Sequence, residues 1–158
     1  MLIGEIRGTT LKTDMSNRKR LVIFVCTGNT CRSPMAEGMF RAGLTDKERD
    51  EIEVKSFGLA AFGGEPASEF AIEIMREQGI DISEHRSTPL NRYALSEAEV
   101  IVCMTESHSK VLSSVGVDAD KLVVFDIPDP YKGTEDDYRS CAEKIKQELL
   151  RVYDRIRK

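Results

Sequence analysis

The sequence predicts an α/β fold, a parallel sheet covered by helices on both faces, and three observations carry that expectation. Leu21–Val25 (LVIFV) is a continuous apolar, partly β-branched run, the pattern of a strand buried on both faces of a parallel sheet. Three further strand-like segments follow it along the chain, and helical patterns lie between them. Strands that alternate with helices imply right-handed crossovers, so neighbouring strands run parallel and the helices pack on either side.

The elements follow in order. After Leu21–Val25, Ser33-Pro34 reads as a helix N-cap with proline at the first helical position, and MAEGMFRAG continues with helical spacing to a stop at Gly43. Glu51–Phe57 (EIEVKSF) alternates as a second strand, and a glycine-rich loop, Gly58–Gly64, leads to a helix from about Pro66 to Gln78 that Gly79 ends. A helical segment at Leu90–Ala98 precedes a third strand at Val100–Met104, and one at Glu106–Ser114 precedes a fourth at Lys121–Phe125. Pro128 and Pro130 then break regular structure before a last helix at Thr134–Ile156. There is no internal repeat. Residues 1–17 lack a periodic apolar pattern, so they are expected to form a flexible leader to a single domain at 18–158. Met15 is a candidate natural start, leaving 1–14 outside the native chain; mass spectrometry of the native protein decides it.

Composition narrows the partners. With 27 acidic and 23 basic residues among 158, the net charge is −4, which argues against nucleic acid or an anionic membrane as main partner. Met1–Arg20 has no apolar core for a secretory signal, and no run approaches the roughly 18 apolar residues of a membrane span; a cytoplasmic address is expected. The four cysteines, Cys26, Cys31, Cys103 and Cys141, are too few and too unevenly spread for a secreted disulfide framework. Cys103 on a strand and Cys141 on a helix read as packing residues. Two histidines give no convincing metal set, so neither metal nor cofactor is expected.

The chemistry concentrates in VCTGNTCRSP. Cys26 ends the first strand, Arg32 follows six positions later, and a helix starts directly after. A short loop entering a helix points several backbone N–H groups at one place, where the helix dipole adds positive potential. The segment Thr27–Ser33, with Gly28, Asn29, Thr30 and Cys31, therefore reads as a cradle for three phosphoryl oxygens. Gly28 takes positive φ without steric cost and Asn29 tolerates the left-handed region, which lets the amides curl inward. Arg32 offers a planar fork for two oxygens, a geometry Lys does not reproduce. The same donors favour the thiolate of Cys26 as nucleophile, and the Ser33 hydroxyl is placed to donate to it as well as to cap the helix.

The proton donor has two candidates. Asp129 lies between two prolines, in a turn stiff enough to hold a carboxyl group over the cradle, and Asp126 is its rival. Tyr131 and Phe62 are candidate apolar walls for a flat substrate group, and His108 reads as a solvated helix residue.

CTGNTCRSP resembles the signature Cys-X-Gly-Asn-X-Cys-Arg-Ser-Pro of the low-molecular-weight protein tyrosine phosphatase family, and Asp129-Pro130-Tyr131 resembles that family's Asp-Pro-aromatic near the C-terminus. Ser56-Phe57-Gly58 and Gly79-Ile80-Asp81 with His85 are similar as well, although Phe57 is larger than the usual Ala. The resemblance implies a four-stranded parallel sheet of Rossmann-like type, with the cradle at the carboxyl end of the first strand. It selects Asp129 over Asp126 as the general acid and implies that His85 supports the loop through Asn29. It also implies hydrolysis through a phosphocysteine, with phosphorylated proteins as substrates and inorganic phosphate as product and inhibitor. Cys31, present in the family signature, is expected to pair reversibly with Cys26 on oxidation; peroxide inactivation without that disulfide would remove the expectation.

Thr30 bears on the substrate. Tyrosine phosphatases of the family usually have an aliphatic residue there, and the arginine phosphatases resemble this chain in having Thr, so phosphoarginine is favoured with phosphotyrosine close behind. Tyr131 points the other way, because the arginine enzymes more often have Phe there. CTGN-x-CRS followed by MAEG is similar to the arsenate reductases on the same fold too, but Cys103 has no second Cys about seven residues on, and Pro34 stands where those enzymes tend to have Gln. The non-enzymatic alternatives are a phosphoprotein-binding module, which has no need of a nucleophile, and a phosphocarrier on Cys, which has no need of a carboxyl group to activate water.

Overall fold

The computed structural model describes residues 19–158; the expectations for the leader and for Met15 lie outside these residues. In chain order the elements are β1 (Arg20–Cys26), α1 (Arg32–Ala42), α2 (Asp46–Glu51), β2 (Ile52–Gly58), α3 (Glu69–Glu77), α4 (Arg92–Glu97), β3 (Val100–Cys103), α5 (Glu106–Ser114), a 3₁₀ turn (Ala119–Lys121), β4 (Leu122–Val124) and α6 (Glu135–Ile156).

The four strands form one sheet in the order β2-β1-β3-β4, and every pairing is parallel, with Val22 facing Val54 on one side and Val100 on the other. Alternation along β1 explains the two-sided core. Val22, Phe24 and Cys26 point to one face and pack with Met35, Phe40, Ile74, Ile145 and Leu149 of α1, α3 and α6. Leu21, Ile23 and Val25 point to the other and pack with Leu95 and Leu112 of α4 and α5. Burial of β1 on both faces is the physical reason its sequence reads as an unbroken apolar run.

This strand order also locates the site. From β1 the chain crosses to β2 on one side, then returns past β1 to β3 on the other, so the crossovers diverge at the carboxyl end of β1. An open α/β sheet leaves its ligand crevice at that point, and Cys26 is the last residue of β1.

Several boundaries differ from the sequence expectation. The first helix begins at Arg32, with Cys31 at the cap position and no side-chain cap; Ser33 lies inside the first turn because its hydroxyl has other partners, described below. The third helix begins at Glu69 rather than near Pro66, since Ser68 accepts the Ala71 N–H and caps it. Helix α2 was not expected. It has no buried residue and hence no apolar period, and only the capping box of Thr45 and Glu48 marks it in sequence.

Candidate active site

The loop from Cys26 to Arg32 is wound around Asn29. Its φ of 58° is left-handed, a region an L-residue enters at a cost and Asn enters more readily than most. The side chain is fully buried, and its hydrogen bonds hold the residue in that conformation. Its Oδ1 accepts the Thr88 N–H at 2.8 Å, which fixes the amide's orientation. Its Nδ2 then donates to Ser33 Oγ at 2.7 Å and to Ser56 Oγ at 3.0 Å. Its carbonyl accepts from His85 Nε2 at 2.7 Å, the loop-supporting contact expected of His85. Its N–H points to Cys26 Sγ at 3.3 Å.

The hydroxyl of Ser33 lies 2.9 Å from Cys26 Sγ. Because Ser33 Oγ already accepts from Asn29, its own proton is free to donate to the sulfur. Two donors, the Asn29 amide and the Ser33 hydroxyl, thus converge on Cys26 Sγ, an arrangement that disfavours any helix-capping use of Ser33.

The chain after β2 closes over this loop. Leu59 and Ala60 donate their N–H groups to the carbonyls of Cys26 and Thr27 at 3.0 and 2.9 Å. The approach is possible only at a glycine, since a Cβ on Gly58 would stand 2.8 Å from the Thr27 carbonyl and 2.9 Å from Asn29 Cβ. Ser68 N–H donates to the Thr30 carbonyl at 2.9 Å.

Arg32 opens α1 and lies with only 4% of its side chain exposed. Nη1 donates to the Ile127 carbonyl at 2.9 Å, and Nη2 lies 3.5 Å from Asp129 Oδ2. Nε is buried and, among the described residues, has no hydrogen-bond partner, which leaves a donor available to a bound anion. Asp129 is half-exposed and its other oxygen accepts the Tyr131 N–H at 3.0 Å, a turn that holds the carboxylate over the loop. Asp126 is exposed and has positive φ; it does not line the cleft that Asp129 lines.

That cleft, about 270 Å³, is lined by Cys26, Thr27, Gly28, Thr30, Cys31 and Arg32 at its floor and by Ala60, Ala61, Phe62, Glu65, Asp129 and Tyr131 at its walls. Phe62 is 94% exposed and Tyr131 62% exposed, so both rings are available to a substrate at the mouth. Cys31 Sγ sits 3.3 Å from Tyr138 Oη and 3.7 Å from Ser68 Oγ. Burial, and then the Cys31 contact, push the Tyr138 hydroxyl up to about 12. Cys103 and Cys141 are buried outside the cleft, where desolvation raises each thiol to about 12; they are packing groups.

His108 corrects the sequence reading. It is buried, at 6% exposure, not solvated, and Nε2 lies 2.9 Å from Thr27 Oγ1 beside the nucleophile position. Burial, and next the nearby Arg32 charge, hold its pKa below the usual histidine value, with Asp129 opposing them. Helix α5 begins at the carboxyl end of β3, and β3 pairs with β1, so this helix start delivers His108 to Thr27, which lines the cleft. That positional rule was the available signal. Glu65 and Tyr138 carry no local sequence signal and become visible only through the loop packing.

Comparison with known proteins agrees with this geometry. A protein-arginine-phosphatase of Bacillus subtilis is 31% identical over 147 residues, covering 87% of this chain and 97% of that protein. The crystal structure of the low molecular weight protein tyrosine phosphatase from T. tengcongensis superposes with a TM-score of 0.78 at 35% identity, over 87% of this chain and 99% of its own. An arsenate reductase of Halalkalibacterium halodurans is 32% identical over 132 residues, 83% of this chain and 90% of that protein. Residues 21–158 match the family described as low molecular weight phosphotyrosine protein phosphatase, and the chain belongs to that family of cysteine-dependent protein phosphatases.

Proposed function

We propose that this protein hydrolyses phosphorylated side chains of cytoplasmic proteins, phosphoarginine foremost and phosphotyrosine next. The observation that carries the reading is the meeting, in one small cleft, of Cys26 with two convergent donors, the buried Arg32 with an unpartnered Nε, and Asp129 above them. The Cys26 thiolate attacks phosphorus. A sulfur–phosphorus bond forms as the bond to the side-chain nitrogen or oxygen breaks, and Asp129 delivers its proton to the leaving atom. Arg32 and the loop amides hold the three equatorial oxygens throughout. Asp129, now a carboxylate, takes a proton from water as that water attacks phosphorus; inorganic phosphate leaves and the thiolate is restored. The released phosphate fits the same cradle and competes with substrate. Cys31, which lines the same cleft as the nucleophile, serves as the reversible redox partner.

Thr30 supports the choice of phosphoarginine. It lines the cleft, and among the described residues its hydroxyl meets only Cys31 Sγ, at 3.8 Å, so it is available to the N–H donors of a guanidinium, which an aromatic ring lacks. The resemblance to a protein-arginine-phosphatase points the same way. Thr30→Ile should lower the ratio of kcat/KM on phosphoarginine peptides to that on phosphotyrosine peptides; an unchanged ratio excludes Thr30 as a determinant. Arsenate reduction is the second reading, favoured by the Halalkalibacterium relative. It lacks support from the cysteines, since Cys103 and Cys141 are buried with raised pKa values and neither lines the cleft.

A further inference from the structure

We propose that Glu65 is a specificity-determining residue that receives the guanidinium of a phosphoarginine side chain at the mouth of the cleft; the proposal rests on the reading of phosphoarginine as substrate. Three charged residues line the cleft: Arg32, Asp129 and Glu65. Arg32 lies at the floor and faces Asp129. Glu65 stands at the wall, and among the described residues its carboxylate makes no hydrogen bond or ion pair, so its charge is uncompensated.

The placement of Glu65 is built rather than incidental. Gly63 and Gly64, at φ of 110° and 84°, turn the chain as few other residues could. Ser87, itself buried, then clamps the turn from three sides. Its carbonyl accepts the Gly64 N–H at 2.8 Å, its hydroxyl accepts the Glu65 N–H at 3.0 Å, and its N–H donates to the Glu65 carbonyl at 2.6 Å. Pro66 follows and stiffens the exit. A residue held at both its N–H and its carbonyl has a fixed Cα, so the side chain is launched from a fixed point on the cleft wall.

The chemistry distinguishes the two substrate classes. A phosphorylated arginine keeps a protonated guanidinium next to its phosphoryl dianion, and the guanidinium has N–H donors on its edge. With the dianion on the floor cradle, that cation lies in the upper cleft, where the carboxylate of Glu65 offers acceptors and opposite charge. Phosphotyrosine brings the same dianion on a neutral ring with no donor. For it the carboxylate contributes only repulsion during approach.

The test is the substrate ratio in Glu65→Gln and Glu65→Lys, measured as kcat/KM on matched phosphoarginine and phosphotyrosine peptides. Because the two values come from one preparation, the ratio is independent of how much of a variant folds. Since Glu65 is exposed, an ion pair there is expected to be worth about a three- to fivefold change. The ratio should fall by that factor in Glu65→Gln, mainly through KM for phosphoarginine, and further in Glu65→Lys. Added salt should narrow the difference. A ratio unchanged in both variants, with phosphoarginine still hydrolysed, overturns the role of Glu65 and leaves the substrate reading intact. A native enzyme that hydrolyses phosphotyrosine but no phosphoarginine overturns the substrate reading and the proposal with it.

Discussion

Replacing Asn29 by Ala tests how much the wound loop depends on one side chain. The substitution removes three hydrogen bonds, from Nδ2 to Ser33 and Ser56 and from the Thr88 N–H to Oδ1. All are made by a residue with no solvent exposure, so water does not replace them without rearrangement. At about 1 kcal/mol net for each bond, the loss is about 3 kcal/mol. Holding Ala at φ 58° adds roughly 1 kcal/mol, for a total of about 4 kcal/mol out of the roughly 5–15 kcal/mol typical of a domain. Asn29→Gly loses the same bonds without the left-handed strain, and after glycine's greater unfolded-state entropy should be milder by up to about half a kcal/mol. Urea unfolding of the three proteins gives these differences directly. Under conditions where both variants are folded, kcat/KM should fall at least about tenfold, because the amide and the Ser33 hydroxyl no longer converge on Cys26. A loss below about 1 kcal/mol for Ala, or a glycine variant less stable than the alanine one, refutes the reasoning.

Two further predictions follow from close contacts. Gly58→Ala puts a methyl group within 3 Å of the Thr27 carbonyl and Asn29 Cβ; it should push the loop off Cys26 and cut kcat by about tenfold or more, while a kcat within twofold of native denies the tight approach. His108 has a folded pKa below that of an unfolded histidine, so the unfolded chain takes up more protons as pH falls through about 6.5. Stability should therefore decline from about pH 7 down to the folded pKa and then level off, and the drop in Tm between about pH 7.5 and 5.5 should shrink in His108→Gln. Carboxylates with lowered pKa values, among them Glu48 held at about 2 by Arg157, act at lower pH. An equal drop in both proteins contradicts the assignment.

The sheet was legible because a strand buried on both faces must be apolar throughout, as Leu21–Val25 is. The cradle was legible because its parts are local: strand end, Gly and Asn for the curl, and an Arg at the helix start. What sequence obscured was where a side chain finds its partner. Ser33 reads as a cap, and its hydroxyl goes instead to Cys26 and Asn29. His108 reads as surface because nothing near it in sequence explains its burial. Its partner Thr27 lies 81 positions away and reaches it only through the β1–β3 pairing. Glu65 is likewise placed by Ser87, 22 positions on.

Rapid acid quench during turnover of a labelled phosphopeptide tests the central claim most directly, in the native enzyme and in Asp129→Ala, where hydrolysis of the intermediate lacks its base. One phosphoryl group is expected on the sulfur of Cys26, accumulating to a higher level in the variant and absent from Cys26→Ala. Turnover with no label on Cys26 in either enzyme, or label carried by another residue, would contradict it.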